Sequence, residues 1–417
     1  MAMPPDDVSV TLALGSTPYQ KTLASSLLSE GMLRRTFNLG PYLEVRDPGA
    51  DGSLQVVKRF RSHQFGNRVV WGLWRRLPRK ALPQPPIMLT AWAVDRLMSR
   101  WIVPSRIFHA CTAFCLASMK KAQRRGTLTL VDIGTRHPRH WREAAEEECR
   151  RFNVVTREGA AAMPEALMRR QESEFRLCDH IVVPSNVARQ SFAEMGYGEK
   201  TLVIPGGVDT QLFSARSQLE RPPLFRACFV GRLEMPKGLG YLLQAWKRLA
   251  LPRAELVLVG AANPEMQAFV KTNGGPNVRM AGMLPPHAVA KSYRESSVFV
   301  FPSVTEGLAQ VLLEAMASAV PVIASEKSGA VDCVAQSKEG FVVPTHDSDA
   351  LADAILWCYQ HPDETYAMGE AARRRVENEF TLEHYNQRQI ALYRSLVKPG
   401  AQPLADRLPA ANIGAKG

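Results

Sequence analysis

Apolar positions in the second half of the chain fall into short runs separated by longer amphipathic stretches. Residues 225–230, 255–259, 278–281, 298–301, 320–324 and 340–343 are brief apolar runs, several of them closed by glycine, and read as buried strands. Between them, residues 239–249, 264–271, 286–295, 309–318 and 349–359 place apolar side chains at helical spacing. Strands this short alternating with helices predict βαβ units, a parallel sheet and right-handed crossovers. The first half repeats the pattern less cleanly. Residues 8–14, 107–110, 127–132, 180–184 and 200–204 read as strands, and residues 141–152 and 164–177 as helices. The two halves meet near Pro205-Gly206-Gly207 or in the polar stretch 214–223. Two α/β sheets joined by one linker form a cleft, where ligands bind.

The 417 residues suffice for two or three domains, and 46% hydrophobic with 22% charged residues excludes a disordered chain or a polytopic membrane protein. The net charge of +12 favours anionic partners. Most of that excess is local. Residues 58–106 carry eleven Lys or Arg against one acid, Asp95, with Phe65, Trp71, Trp74, Trp92 and Trp101 interleaved, which suits either an anionic membrane surface or a solvated basic face with its Trp side chains in the core. The apolar stretch 107–119 is shorter than the twenty or so residues a bilayer needs. The start of the chain, with Asp6 and Asp7 and no early Lys or Arg, does not read as a signal peptide. The expected location is cytoplasmic, with attachment at the inner membrane face left open. Seven scattered cysteines lack metal spacing and read as reduced structural thiols, Cys111 and Cys115 as one buried helix face. Residues 398–417 read as a disordered tail.

The densest chemistry lies in Pro302-Ser303-Val304-Thr305-Glu306-Gly307-Leu308-Ala309-Gln310, where a strand ends, a turn carries Glu306 and Gly307, and a helix follows with Glu314 on it. Free N–H groups at a helix start favour phosphate. Glu306 and Glu314 would lie about 12 Å apart along a helix, near the ribose-to-hexose span across a diphosphate. Upstream, Gly231-Arg232-Leu233-Glu234-Met235-Pro236-Lys237-Gly238 leaves a strand at its carboxyl end, where open α/β sheets bind ligands. Arg232 offers a fork for phosphate oxygens and Lys237 a point charge. Asp347-Ser348-Asp349 spells a metal-binding triplet, but its place before a helix reads as an N-cap.

These elements resemble the retaining glycosyltransferase family 4. The Gly231-Arg232-Leu233 to Lys237-Gly238 loop and the Glu306-to-Glu314 element running into Glu314-Ala315-Met316-Ala317 carry most of the likeness, with Val183-Pro184-Ser185, Ile204-Pro205-Gly206-Gly207-Val208-Asp209 and Glu339-Gly340-Phe341 beside them. The resemblance implies the two-Rossmann GT-B fold. It places an acceptor domain at 1–205, a nucleotide-sugar domain at 206–379, and a helix at 380–397 crossing back onto the first domain. It implies that Gly231, Arg232 and Lys237 bind the donor diphosphate, that Glu306 contacts the transferred sugar, that amides near Gly307 and Leu308 meet phosphate, and that Glu314 holds ribose. The family's first domain supplies a histidine facing the sugar. His109 and His137 both follow strands and both match, with His137 preferred. The Gly15-Ser16 turn resembles a shortened form of the family's glycine loop.

The expected activity is transfer of a hexosyl unit from a nucleoside diphosphate sugar to a hydroxyl acceptor, with retention, without metal or further cofactor, in envelope, lipid-linked or exopolysaccharide synthesis. A sugar-nucleotide epimerase of the same fold would need acid/base carboxylates in the cleft. A basic scaffold for lipid or nucleic acid would bind with steep salt dependence and ignore Glu306; nucleic acid is not the expected partner.

Overall fold

The computed structural model describes residues 8–14, 18–39, 43–60, 86–154, 163–215 and 224–398. The Gly15-Ser16 turn, residues 61–85 of the basic segment and residues 399–417 lie outside them.

The first sheet contains β1 (Val10–Ala13), β2 (Leu33–Leu39), β3 (Leu43–Pro48), β4 (Leu54–Phe60), β5 (Ile107–Cys111), β6 (Leu128–Asp132), β7 (His180–Val183) and β8 (Thr201–Val203), in the order β4-β3-β2-β1-β5-β6-β7-β8. It is parallel from β2 to β8, and β2, β3 and β4 form an antiparallel edge that the apolar pattern does not announce. The second sheet contains β9 (Phe225–Val230), β10 (Ala254–Val259), β11 (Val278–Gly282), β12 (Val298–Phe301), β13 (Val322–Ser325) and β14 (Gly340–Val343). It is parallel throughout, in the order β11-β10-β9-β12-β13-β14. Its strands are nearly continuous apolar runs because helices cover both faces. Ala227 to Val230 and Val298 to Phe301 are all buried. Chain order reverses between β9 and β12, so their carboxyl ends open a crevice.

The chain passes between the sheets twice. Residues 204–208 lead into the second sheet, and Phe380 and Thr381 lead back, with the Val208 amide donating to the Phe380 carbonyl at 2.9 Å. The final helix Leu382–Val397, opened by a Thr381 capping box, buries Tyr385, Ile390, Leu392 and Tyr393 among Val10, Leu12, Leu23 and Ile107 of the first domain.

One expectation needs correction. Cys111 ends β5 and Cys115 caps the helix Leu116–Gln123, so they share no helix face; both are free thiols. The described end of the basic segment is part core and part surface. The helix Pro86–Trp101 buries Ala91, Val94 and Met98 in the core. Its lone acid, Asp95, accepts the amides of Ala117 at 2.7 Å and Ser118 at 2.9 Å, capping the next helix, and it also meets the Arg170 guanidinium at 2.5 Å. Trp92 does stay 58% exposed, with Arg96 over its ring. No helix among the described residues is long and apolar enough to cross a membrane.

Candidate functional site

The crevice is built first from the loop after β9. The amides of Gly231 and Leu233 donate to the carbonyls of Val259 and Ala261, which binds this loop to the end of β10. That approach requires glycine at 260, where φ is +147° and a Cβ would overlap the Gly231 carbonyl. The chain then makes a short turn over Met235–Lys237 and enters the helix Leu239–Leu249 through Gly238. Arg232 is 64% exposed at the lip and meets Glu234 at 2.5 Å.

The loop after β12 forms the opposite wall. The Val304 amide donates to the Pro236 carbonyl at 2.9 Å, and the Ser303 hydroxyl reaches the same carbonyl at 3.0 Å, so the two loops are stitched together. This brings Lys237 Nζ onto Glu306 Oε1 as an ion pair, with the Ser303 hydroxyl 3.0 Å from the same oxygen. Glu306 is only 8% exposed. The pair places a cation and a carboxylate at the carboxyl edge of the sheet, where a cation can neutralise phosphate and a carboxylate can accept from sugar hydroxyls. The amides of Gly307 and Leu308 donate to no acceptor among the described residues, just ahead of the helix Gln310–Ala317.

Glu314 sits on that helix, half-buried, and accepts the Tyr293 hydroxyl at 3.2 Å. Burial pushes its carboxyl up to about 7, partly opposed by this hydrogen bond. A neutral or readily ionised carboxyl of this kind can accept or donate to paired hydroxyls. Tyr293, fully buried, and Ser303 were missed by sequence reasoning; no spacing rule links either to its acid.

The Glu306-Gly307 turn also meets the first domain. A Cβ on Gly307 would overlap the Gly134 carbonyl and lie 2.8 Å from Pro184. The Ser185 hydroxyl donates to the Gly307 carbonyl at 2.6 Å, and Asn186 hydrogen-bonds Asp332 through its amide at 3.1 Å and its side chain at 2.6 Å. The site therefore lies on the seam between the domains.

Neither candidate histidine is brought into this crevice. His137 is 1% exposed and caps the helix Pro138–Arg151, accepting the Arg139 amide at Nδ1. Its ring packs among Phe175, Phe192 and Tyr197, with Glu172 3.3 Å from Nε2. Burial holds its pKa down to about 4, against the pull of Glu172. The expectation that His137 faces the sugar is therefore corrected: its ring is turned into the first domain by the two helices folded over it. His109 is fully buried, its Nδ1 2.7 Å from the Tyr393 hydroxyl, and burial lowers its pKa to about 3. Asp347 accepts the amides of Asp349 and Ala350 as an N-cap. Among the described residues no cluster of three His, Cys, Asp or Glu side chains is placed to hold a metal.

Two domains with parallel sheets, facing each other across a crevice lined with cations and carboxylates, define the GT-B class of glycosyltransferase folds. Residues 48–212 match the family model described as Glycosyltransferase Family 4, and residues 225–361 match Glycosyl transferases group 1. The chain belongs to this family of glycosyltransferases. It is 32% identical over 208 residues to alpha-maltose-1-phosphate synthase of Mycolicibacterium smegmatis, covering 46% of this chain and 52% of that protein. It is 31% identical to an amylovoran biosynthesis glycosyltransferase of Erwinia amylovora, covering 46% and 50%. The chain thus spans about half the length of these curated relatives. In three dimensions it resembles a sucrose-phosphate synthase of Thermosynechococcus elongatus, with a TM-score of 0.65 at 21% identity over 93% of this chain and 98% of the other. It also resembles Anabaena HepE solved in complex with UDP-glucose, with a TM-score of 0.58 at 16% identity over 92% and 98%. These likenesses establish the fold.

Proposed function

We propose that the chain is a retaining, metal-independent hexosyltransferase that moves a sugar from a nucleoside diphosphate to a hydroxyl acceptor. The observation that carries this reading is the Lys237–Glu306 pair on the interdomain seam. An arriving diphosphate offers Lys237 a better partner than Glu306. The released carboxylate can then accept from hydroxyls of the transferred sugar. Arg232, exposed at the lip, can swing from Glu234 onto phosphate, and the amides of Gly307 and Leu308 add fixed donors, while the Gly231 amide is held by the Val259 carbonyl. Glu314 takes the ribose hydroxyls. As the glycosidic bond to phosphate breaks, charge grows on the leaving oxygen, which these cations and dipoles stabilise. The acceptor hydroxyl attacks from the same face and passes its proton to that oxygen, giving retention.

The acceptor is a growing glycan or a lipid-linked saccharide on the first domain. The relatives named for amylovoran biosynthesis and for O-antigen chain mannosyl transfer support this, as does the exposed Trp92 beside Arg96, which fits a peripheral site on an anionic membrane. The test is transfer from labelled nucleotide sugars to lipid extracts and oligosaccharides, with Glu306→Ala as control. Product formed by wild type and lost in a folded Glu306→Ala supports the reading. Epimerised donor without transfer would replace it with the epimerase. Co-sedimentation with anionic but not neutral vesicles, weakened in Trp92→Ala, tests the membrane component.

A further inference from the structure

The domains touch a second time, away from the Glu306-Gly307 turn. The helix Pro138–Arg151 belongs to the first domain, yet Ala144, Cys149, Phe152 and Val154 pack on the hydrophobic core of the second. Phe152 lies edge-on to Tyr241 with centroids 5.1 Å apart, and its ring fills the space a Cβ on Gly240 would take. At the centre of this contact is Glu148, 1% exposed. Its Oε1 accepts the Tyr241 hydroxyl at 3.0 Å and lies 3.3 Å from His346 Nε2. Arg151 is the nearest cation from its own helix, at 3.8 Å. Glu148 Oε2 has no hydrogen-bond partner among the described residues.

A carboxyl this buried costs free energy unless its partners are held in place. Here the partners lie on the other domain. Tyr241 stands in the first turn of the helix that Lys237 and Gly238 lead into, and His346 follows β14. Helix and Lys237 turn are joined directly: the Gly238 amide donates to the Met235 carbonyl at 2.9 Å and the Gly238 carbonyl accepts the Leu242 amide at 3.1 Å. Whatever holds Tyr241 therefore also fixes where Lys237 stands.

We propose that Glu148 is a positioning residue for the donor crevice: through Tyr241 and His346 it clasps the first domain to the helix behind Lys237 and keeps the crevice closed on its ligand. This rests on the reading that the crevice binds a nucleoside diphosphate sugar. The clasp forms only when the domains are together, so donor exchange requires it to break.

The experiment compares the full chain with Glu148→Ala, Glu148→Gln and Tyr241→Phe. Each carries a pair of spin labels introduced at the exposed positions Ser25 and Lys271, one per domain. Interlabel distance reports closure, calorimetric titration with UDP-glucose, GDP-mannose and ADP-glucose reports donor affinity, and thermal unfolding reports the fold. Glu148→Ala is expected to lengthen the interlabel distance and weaken donor binding about tenfold or more, as for a buried hydroxyl left unpaired. Glu148→Gln still accepts the Tyr241 hydroxyl, so it keeps the closed distance and the wild-type affinity within about threefold. Tyr241→Phe keeps its ring on Phe152, loses the hydrogen bond, and weakens donor binding roughly three- to tenfold. It gives the same reading if Glu148→Ala does not fold. A distance and affinity unchanged in Glu148→Ala and Tyr241→Phe overturn the proposal, as does a Gln variant that opens like the Ala variant. If wild type binds none of the three donors, the functional reading fails, while the interlabel distances still decide whether the clasp exists.

Discussion

Replacing Lys237 with Met removes the charge from the crevice pair while keeping most of the stem. The Lys237 side chain is 21% exposed and that of Glu306 11%. Breaking a fully buried pair costs about 3–5 kcal/mol, because the remaining charge is stranded. Glu306 keeps the Ser303 hydroxyl at 3.0 Å and the crevice admits some water, which lowers the expected cost to about 2–3 kcal/mol. For a domain of this size that is a fall of roughly 4–10 °C in melting temperature. Glu306→Gln keeps an acceptor for Ser303 and leaves Lys237 able to reach solvent, so about 1 kcal/mol is expected. In the double variant the two losses overlap, giving a coupling of about 1–2 kcal/mol. Urea unfolding of the four ligand-free proteins measures it. Transfer by Lys237→Met should drop at least about a hundredfold, the usual cost of one lost donor to a developing oxyanion. Additivity within about 0.5 kcal/mol, or full transfer activity in Lys237→Met, would refute the reasoning.

Three further outcomes are expected. Burial raises the Glu314 carboxyl from 4.5 to about 7, so its contribution to stability is complete below the unfolded value and is lost as pH rises through about 7. The loss amounts to about 3 kcal/mol at most; burial raises Glu148 to about 7 as well, so Glu314→Gln should reduce, not abolish, the fall in stability between about pH 5 and 8, and a variant with the full wild-type slope contradicts this. His109→Phe strands the Tyr393 hydroxyl and should cost about 1–3 kcal/mol while leaving turnover per folded molecule unchanged; a large fall in kcat at unchanged stability would return His109 to the catalytic set. Gly260→Ala forces a Cβ into the Gly231 carbonyl at positive φ and should cost about 2 kcal/mol or more with weaker donor binding; full stability and affinity would show that the loop yields freely.

The second domain is legible in the sequence because its strands are buried on both faces and stand out as apolar runs between helices. Lys237 and Glu306 each stand out at the end of an apolar strand, but that they pair follows only from β9 and β12 being neighbours in the sheet. The β2–β4 edge is not legible, since its strands carry charges that would mark a loop. Arg35 pairs with Asp47, and Arg46 and Arg59 both bind Glu44, which is 5% exposed. The Arg35–Asp47 and Arg59–Glu44 pairs form only across the sheet, whereas Arg46 and Glu44 lie two apart on β3. His137 misleads for a similar reason. A histidine after a strand looks like a site residue until the helices bearing Phe175 and Phe192 fold over it. The partners of Glu148 lie about ninety residues or more along the chain, on another domain, and no local pattern announces them.

The central claim is that Lys237 and Glu306 grip a pyrophosphate-linked sugar. Titration of nucleoside diphosphate sugars into wild type and Lys237→Met, followed by calorimetry, tests it most directly. At least one donor should bind wild type in the micromolar range and lose about tenfold or more of its affinity in the variant. A wild type that takes up none of them, or a Lys237→Met protein that binds one equally well, would contradict it.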